Sequence, residues 1–179
     1  MEKRYVKDYE AAADGSFHYR GAYYKLKLDS QGKRKASLDC FVCAAVMMTL
    51  FFVSLCINND GSRVFYILMP YIFCGLPLFY CLRGCDVFRK AGPAMERREY
   101  ERGILRIKRS AAAAAVLTGY TAAADLLFLL VHRKEIGILQ ETVFWMVCMG
   151  IFLTALKAAF TGNKLKSETR EEEGNGQNK

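Results

Sequence analysis

Long apolar stretches alternate with polar, basic connections along this chain of 179 residues. Four stretches are predominantly apolar, and they cover residues 38–57, 64–82, 110–131 and 143–160. About 20 helical residues cross the hydrocarbon core of a bilayer, so each stretch is long enough. None of them alternates with the period of two that marks a membrane β-barrel. A chain in lipid must satisfy its own backbone hydrogen bonds, so the pattern predicts an all-α membrane protein with four transmembrane helices.

The connections set the expected arrangement of these helices. Only residues 58–63 separate the first two stretches, and 132–142 separate the last two. Such short connections favour antiparallel neighbours, so we predict an antiparallel four-helix bundle over residues 38–160. A basic N-terminal region, 1–37, precedes it. The tail, 161–179, has few apolar residues to bury and is predicted to be disordered.

Basic residues are distributed unevenly between the two sides of this predicted bundle. The chain carries 26 Lys and Arg against 18 Asp and Glu, a net charge of +8. Nine Lys and Arg lie in 1–37, nine in the loop 83–109 and four in the tail after 160. Lys and Arg remain on the cytoplasmic side of a membrane. We therefore predict a multi-pass membrane protein with both termini cytoplasmic, rather than a soluble domain, a secreted disulfide scaffold or a disordered chain.

The cytoplasmic regions contain two further predicted elements. Residues 17–19 and 23–28 read as two short strands, and the turn signal Arg20-Gly21 between them favours a β-hairpin. Residues 95–109, after Gly92-Pro93, read as an amphipathic juxtamembrane helix that leads into the third stretch. Its polar side is expected to contact the headgroups of anionic lipids through Arg98, Arg102, Arg106 and Arg109. Basic residues beside membrane spans fit lipid, so no nucleic-acid partner is expected.

Small residues recur every four positions in the third stretch. They are Ala111, Ala115, Gly119 and Ala123. On a helix this spacing indicates a smooth stripe that allows another helix to approach closely. We therefore predict a helix-packing stripe along these four positions.

A polar stripe lies beside the small one and contains Asp125, the only acid in the interior of an apolar stretch, since Asp39 lies at the edge of the first. Asp125 lies about 10 Å from the outer end of the helix by helix rise. A charged residue at this depth costs about 2.5–3.5 kcal/mol, so we expect Asp125 to face protein or water. Arg63 and Tyr66 on the second helix are candidate partners. We interpret the set as a candidate intramembrane polar site with either a structural or a coupling role: Asp125, Thr118, Thr121 and His132.

Two prolines interrupt the second stretch. Pro70 and Pro77 each remove a helical hydrogen bond. Membrane helices tolerate such kinks, so the prolines are either structural or candidate hinge positions.

Seven cysteines lie in or beside the apolar stretches. As reduced residues in a cytoplasm-facing setting they read as small apolar packing residues. Four of them are expected at one depth near the cytoplasmic face, where thiolates could hold a metal or undergo redox chemistry. These four are Cys40, Cys43, Cys81 and Cys85.

The sequence lacks the motifs of the common hydrolases and nucleotide-binding enzymes. It contains no phosphate-binding glycine loop and only two histidines, which the predicted topology places on opposite sides of the membrane. We therefore expect no enzyme and no cofactor. The first hypothesis is a non-enzymatic accessory or scaffold subunit that binds another membrane protein or a copy of itself. The alternatives are a small transporter or ion-coupled carrier using Asp125, and a membrane redox or metal protein using the four cysteines.

Two segments carry a resemblance to known proteins. Gly61–Tyr71 (GSRVFYILMPY) and Arg97–Arg102 (RREYER) are similar to segments of uncharacterised four-span membrane proteins of Gram-positive anaerobic bacteria. The resemblance covers residues 15–160 in outline. It implies a bacterial plasma membrane and no particular activity.

The predicted topology can be tested with reporter fusions. A reporter at residue 61 or at residue 137 should report an extracytoplasmic position, because both connections are poor in basic residues. A fusion within 83–109 serves as the cytoplasmic control. A cytoplasmic signal at residue 61 or 137 would contradict the topology.

Overall fold

The computed structural model describes residues 5, 8–11, 17–26, 28–132, 137–165 and 167–170. Four helices in this part of the chain are long and apolar enough to cross a membrane, as predicted, and they pack against one another. A π-helical turn, Glu101–Leu105, joins a short helix to the third long one, so that residues 97–132 form one continuous helix. The helices are α1 (Ser30–Leu55), α2 (Phe65–Lys90), α3 (Arg97–Tyr100), α4 (Arg106–His132) and α5 (Ile138–Lys164).

The four long helices extend beyond the apolar stretches that predicted them. Helix α1 begins at Ser30, where the side chain of Asp29 accepts a hydrogen bond from the Ser30 N–H. An acceptor at this position satisfies a backbone donor that the helix leaves free. Helix α2 continues past residue 82 to Lys90, which pairs with Asp86 one turn earlier. Polar residues thus lengthen the helices at their ends.

Small residues allow the helices to approach closely inside the bundle. Helix α4 packs most extensively against α5 and α2. A Cβ atom on Gly84 would lie 3.2 Å from the Gly103 carbonyl oxygen, and one on Gly119 would lie 3.0 Å from the Phe152 ring. Such short approaches are typical of helices packed in a membrane.

The outward faces of the long helices are strongly apolar. Phe65 is 72% exposed, Val131 74% and Leu139 74%. An apolar surface of this extent marks contact with lipid or with another protein. Many large apolar side chains thus point outward, while alanine and cysteine make up about half of the buried apolar residues.

The two ends of the bundle differ. We call one end the hairpin end, because the connection between α1 and α2 lies there. At this end Asn59 and Gly61 contact Glu141. At the opposite end Lys33 donates hydrogen bonds to the carbonyls of Ala91 and Gly92, and this is the sheet end because the strands lie there.

Short strands from three separate parts of the chain meet at the sheet end. Strand β3 lies in the middle of a three-stranded antiparallel sheet, between β4 and β5. A second sheet contains β1 and β2 alone. The N-terminal region, the loop after α2 and the segment after α5 therefore share one end of the bundle. The strands are β1 (Tyr9–Ala11), β2 (Phe17–Tyr19), β3 (Tyr23–Leu26), β4 (Ala94–Met95) and β5 (Ser167–Arg170).

Two expectations about the polar regions need correction. Strands over 17–19 and 23–26 are present, but they do not pair with each other around Arg20-Gly21. Each has a partner further away in the chain, which a local turn signal does not reveal. The tail also differs from the predicted disorder over 161–179, because α5 continues to Lys164 and β5 follows it. Residues 171–179 lie outside the described residues.

The predicted juxtamembrane helix is present and begins at Arg97. Glu96 and Glu99 form a capping box, in which each side chain bonds the other residue's backbone N–H. The Tyr100 ring stacks on Tyr24 of β3 at 4.5 Å between ring centroids. Tyr9 of β1 donates a hydrogen bond to Glu96. These contacts attach the strands to the start of the helix.

The bond between Tyr9 and Glu96 generates a pH-dependent prediction. This bond and partial burial raise the pKa of Tyr9 from its ordinary value near 10 to about 12. The protonated phenol is favoured in the folded protein, so the contribution to stability is complete below about pH 10 and is lost as the pH rises toward about 12. We expect the absorbance titration of the wild-type protein minus Tyr9→Phe to show a phenol that ionises near pH 12.

Tyr66→Phe, at the other end of the bundle, is the control for that titration. A difference curve centred near pH 10 for Tyr9 would show that the bond to Glu96 does not form.

Candidate functional site

Two acidic side chains are completely buried at the hairpin end. Asp125 on α4 and Glu141 in the first turn of α5 both have 0% of their surface exposed. Acidic residues are almost never fully buried unless they are paired. The two carboxyl groups face each other across the α4–α5 interface.

The α1–α2 connection closes over this pair. The Gly61 N–H donates to Glu141 Oε1 at 2.6 Å, and Asn59 Nδ2 donates to Glu141 Oε2 at 3.1 Å. A Cβ atom on Gly61 would lie 2.7 Å from Asp125 Oδ1 and 2.9 Å from Glu141 Oε2. Only glycine leaves enough room here for both carboxyl groups, so the loop fits the acids closely.

Asp125 lacks the hydrogen bonds that Glu141 receives. Neither Oδ1 nor Oδ2 of Asp125 has a hydrogen-bond partner, and both oxygens are buried. No Lys, Arg or His among the described residues forms an ion pair with either acid. The candidate partner Arg63 instead lies 3.8 Å from Asp60, on the exposed surface. Tyr66, the other candidate, is 48% exposed.

The structure does not bring the rest of the predicted polar stripe into hydrogen bonds with Asp125. Thr118 and Thr121 are buried, but their hydroxyls donate to the Ala114 and Leu117 carbonyls of their own helix. The His132 ring stacks on Phe128, 4.6 Å away between ring centroids. Asp125 thus meets a residue that the sequence analysis had assigned to the outer connection.

A sequence signal for Glu141 does exist. Its position continues a repeat of three and four residues along the buried face of α5 toward the start of the helix. The predicted apolar stretch begins at 143, so the prediction leaves Glu141 in the connection that precedes the helix. The buried positions are Glu141, Phe144, Cys148, Ile151, Ala155, Ala158 and Gly162.

The predicted packing stripe follows the buried face of α4 over half of its length. Ala111 and Ala115 are buried, Gly119 is half-buried, and Ala123 is exposed. Each step of four residues turns about 40° around a helix, so three steps carry a side chain about 120° away from the starting face. The buried face instead follows alternating steps of four and three residues, along Ile107, Ala111, Ala114, Thr118, Thr121 and Asp125.

A second feature lies at the sheet end, where an open cavity of about 570 Å³ separates α2 from the start of α4. The Arg102 guanidinium lies over the Tyr5 ring at 5.9 Å, and that of Arg106 lies over the Tyr80 ring at 5.6 Å. The exposed residue Arg109 also lines the cavity, whereas the exposed Arg98 does not. Three guanidinium groups around one opening suit an anionic group such as a phosphate.

An acid in the same cavity is already bonded. The Tyr5 hydroxyl donates to Glu101 Oε2 at 3.1 Å, and Arg97 Nε donates to Glu101 Oε1 at 3.1 Å. Glu101 therefore holds Tyr5, a residue of the N-terminal region, against the continuous helix 97–132 and beside the arginines of the cavity.

The two prolines leave α2 continuous. Pro70 and Pro77 lie inside the helix and are half-buried, and Pro77 also lines the cavity. A hinge at either position stays a prediction.

The four cysteines near the sheet end lie close together in the interior. Cys81 neighbours Cys85, and Cys40 and Cys43 lie near both. All four are buried and free. Within the part of the chain that the structure describes, no group of three or more His, Cys, Asp or Glu residues could hold a metal ion. Buried free thiols of this kind can pack as small apolar side chains do, and a metal or redox role for them stays a prediction.

Comparisons with protein-family models, with curated proteins and with solved structures find no match to this chain. The assignment of a function therefore depends on the sequence pattern and on the geometry of the hairpin end and the sheet end.

The close fit around Gly61 can be tested by adding one methyl group. Gly61→Ala should lower the thermal unfolding temperature in detergent, because its Cβ would lie under 3 Å from both acids. Overpacking of this kind costs about 1–3 kcal/mol. Gly92→Ala is the control, since the nearest atom to its Cβ lies 3.5 Å away. Unfolding of Gly61→Ala at the wild-type temperature would contradict the described fit.

Proposed function

We propose that the chain is a plasma-membrane protein with both termini in the cytoplasm, and that it serves as a non-enzymatic accessory or scaffold subunit of a membrane complex. Its partner is another membrane protein or a second copy of this chain. The sheet end is then the cytoplasmic end, in agreement with the basic residues of the N-terminal region and the loop 83–109. The similarity to four-span proteins of Gram-positive anaerobes favours a bacterial membrane.

The observation that carries this proposal is the sheet of β4, β3 and β5. It joins three segments that are far apart in sequence into one folded surface at one end of the bundle. Strands this short contribute little stability on their own. A small surface assembled from every polar segment at this end is well suited to present one arrangement of side chains to a partner.

The arginine-lined cavity supports a role for anionic lipid beside that surface. Arg102, Arg106 and Arg109 surround an opening at the level where α2 and α4 leave their apolar stretches. Basic residues at this level attract the anionic headgroups of the cytoplasmic leaflet, each worth about 1 kcal/mol. A bound headgroup would hold the folded surface against the membrane.

The proposal can be tested by breaking the central strand. Lys25 is an exposed residue of β3, in register with Ala94 on one side and Glu168 on the other. Lys25→Pro removes one backbone donor from the sheet, whereas Lys25→Ala removes only the side chain. Affinity purification in mild detergent should recover the same partner or self-assembly with wild type and Lys25→Ala, and much less of it with Lys25→Pro.

Recovery of the same proteins in the same amounts with all three chains would contradict the role of the sheet. The accessory role as a whole would be contradicted if the wild-type chain recovered only the proteins that an unrelated membrane protein also recovers.

A second candidate function follows from the buried acids. A carboxyl group held inside a membrane protein is the usual coupling group of a carrier. The pairing of Asp125 with Glu141 and the lack of hydrogen bonds to Asp125 favour this candidate. Asp125→Asn distinguishes the two roles, because it should abolish coupled transport and leave the recovery of an accessory subunit's partner intact.

A further inference from the structure

Hydrogen bonds are distributed unevenly between the two buried acids at the hairpin end. Both oxygens of Glu141 accept an N–H donor, one from Gly61 and one from Asn59. Both oxygens of Asp125 accept none, although they are buried and close to Glu141. The contact as it stands joins acceptors only. A buried acceptor without a donor costs about 1–3 kcal/mol, so a donor between the two acids is expected.

The charge of the pair also indicates a proton between the two acids. Two carboxylates side by side in a low-dielectric interior repel each other, and such sites commonly hold one shared proton. The described residues provide no cation beside either acid. One proton would remove one negative charge and supply the missing donor at once.

The hydrogen bonds also indicate on which acid this proton lies. Glu141 already receives two N–H donors, so it acts as the acceptor of the pair. Asp125 has no donor, and a protonated carboxyl group carries one O–H of its own. An O–H on Asp125 that donates to Glu141 gives each of the two groups a partner.

We propose that Asp125 and Glu141 form a proton-binding site at the hairpin end, in which the pair holds one proton as an O–H···O bond from Asp125 to Glu141. This bond joins α4 to α5, and Glu141 in turn holds the α1–α2 connection through Gly61 and Asn59. The site therefore acts as a latch whose closure depends on a proton. This inference goes beyond the accessory role and holds whether or not the protein carries a solute.

A proton fits this site better than a metal cation does. Calcium takes six to eight oxygen ligands, and magnesium takes six in octahedral geometry. Here both oxygens of Glu141 already carry N–H donors, whose hydrogens would repel a cation. Asp125 alone then remains as a carboxylate ligand.

Few other titratable groups lie near the pair among the residues that the structure describes. Cys148 on α5 is buried near Asp125. On α2 the Tyr71 hydroxyl bonds Ser54, and its ring contacts Phe144. Asp60 in the connection lies on the surface with Arg63, and His132 stacks on Phe128 of its own helix. These contacts leave Glu141 as the group that bonds the proton on Asp125.

Infrared spectroscopy of the purified full-length protein tests the proposal directly. A protonated carboxyl group in a membrane protein has a C=O stretching band that ionised acids lack. At neutral pH the wild-type protein should show such a band, and Asp125→Asn should lose it. Asp60→Asn, which changes an exposed acid in the same connection, should keep it. A wild-type spectrum without this band, or a band that persists in Asp125→Asn, would overturn the proposal.

Thermal unfolding against pH provides the second measurement. Because the proton supplies the bond, wild-type stability should fall once the pH is raised far enough to remove that proton. Asp125→Asn retains an N–H donor toward Glu141, so its unfolding temperature should depend much less on pH. If Asp125→Asn does not fold, Glu141→Gln replaces it in the infrared arm, and the acid band of Asp125 should then shift and not disappear.

Addition of calcium, magnesium and sodium tests whether the pair binds a cation instead of a proton. After chelation, addition of these ions should leave the unfolding temperature of wild type and Asp125→Asn equally unchanged. Stabilisation of the wild type that is abolished in Asp125→Asn would show that the pair binds a cation, and would overturn the shared proton.

Discussion

An ionisable side chain buried in an apolar helix bundle must find its partner inside the protein, because an apolar interior offers neither water nor counter-ions. Asp125 meets this constraint at the hairpin end, where α4, α5 and the α1–α2 connection converge on it. Every part of that site follows from the requirement: Glu141 is turned inward, Asn59 and Gly61 bond Glu141, and the glycine leaves the necessary space. The site joins three elements through one buried polar contact.

The opposite end follows a different principle. There the polar segments lie outside the apolar stretches, and they are joined by short strands, stacked tyrosines and arginines over aromatic rings. Among the described residues, alanine and cysteine make up about half of the buried apolar side chains, and larger residues such as Met47, Phe88 and Ile151 make up the rest. The protein thus has an ionisable site at one end, a basic folded surface at the other, and a tightly packed apolar bundle between them.

The helices could be predicted from the sequence because long uncharged apolar stretches form helices of the length that a bilayer requires. Their ends could not, since Asp29 and Lys90 stabilise helical turns that are polar and give no signal of a membrane span. The sheet could not be predicted for a related reason. Tyr23 pairs with Arg170 across almost the whole chain, and no local pattern indicates a contact of such separation.

Half of the candidate site was accessible to sequence reasoning. Asp125 stood out because it is the one acid in the interior of an apolar stretch, but the threonines beside it bond their own helix and leave it no partner. Glu141 was missed because a residue near the start of a helix reads as part of the preceding loop. The prediction that Ala123 lies on the packing face was wrong, because residues spaced exactly four apart do not stay on one face of a helix with 3.6 residues per turn.

The measurement that tests the account most directly is a double-mutant cycle between the two buried acids, read from unfolding free energies in detergent. Asp125→Asn, Glu141→Gln and the double variant should deviate from additivity by about 0.5–3 kcal/mol, because each substitution changes a group that the other one contacts. Additive effects, within about 0.3–0.5 kcal/mol, would mean that the two carboxyl groups do not interact, and the account of the hairpin end would be wrong.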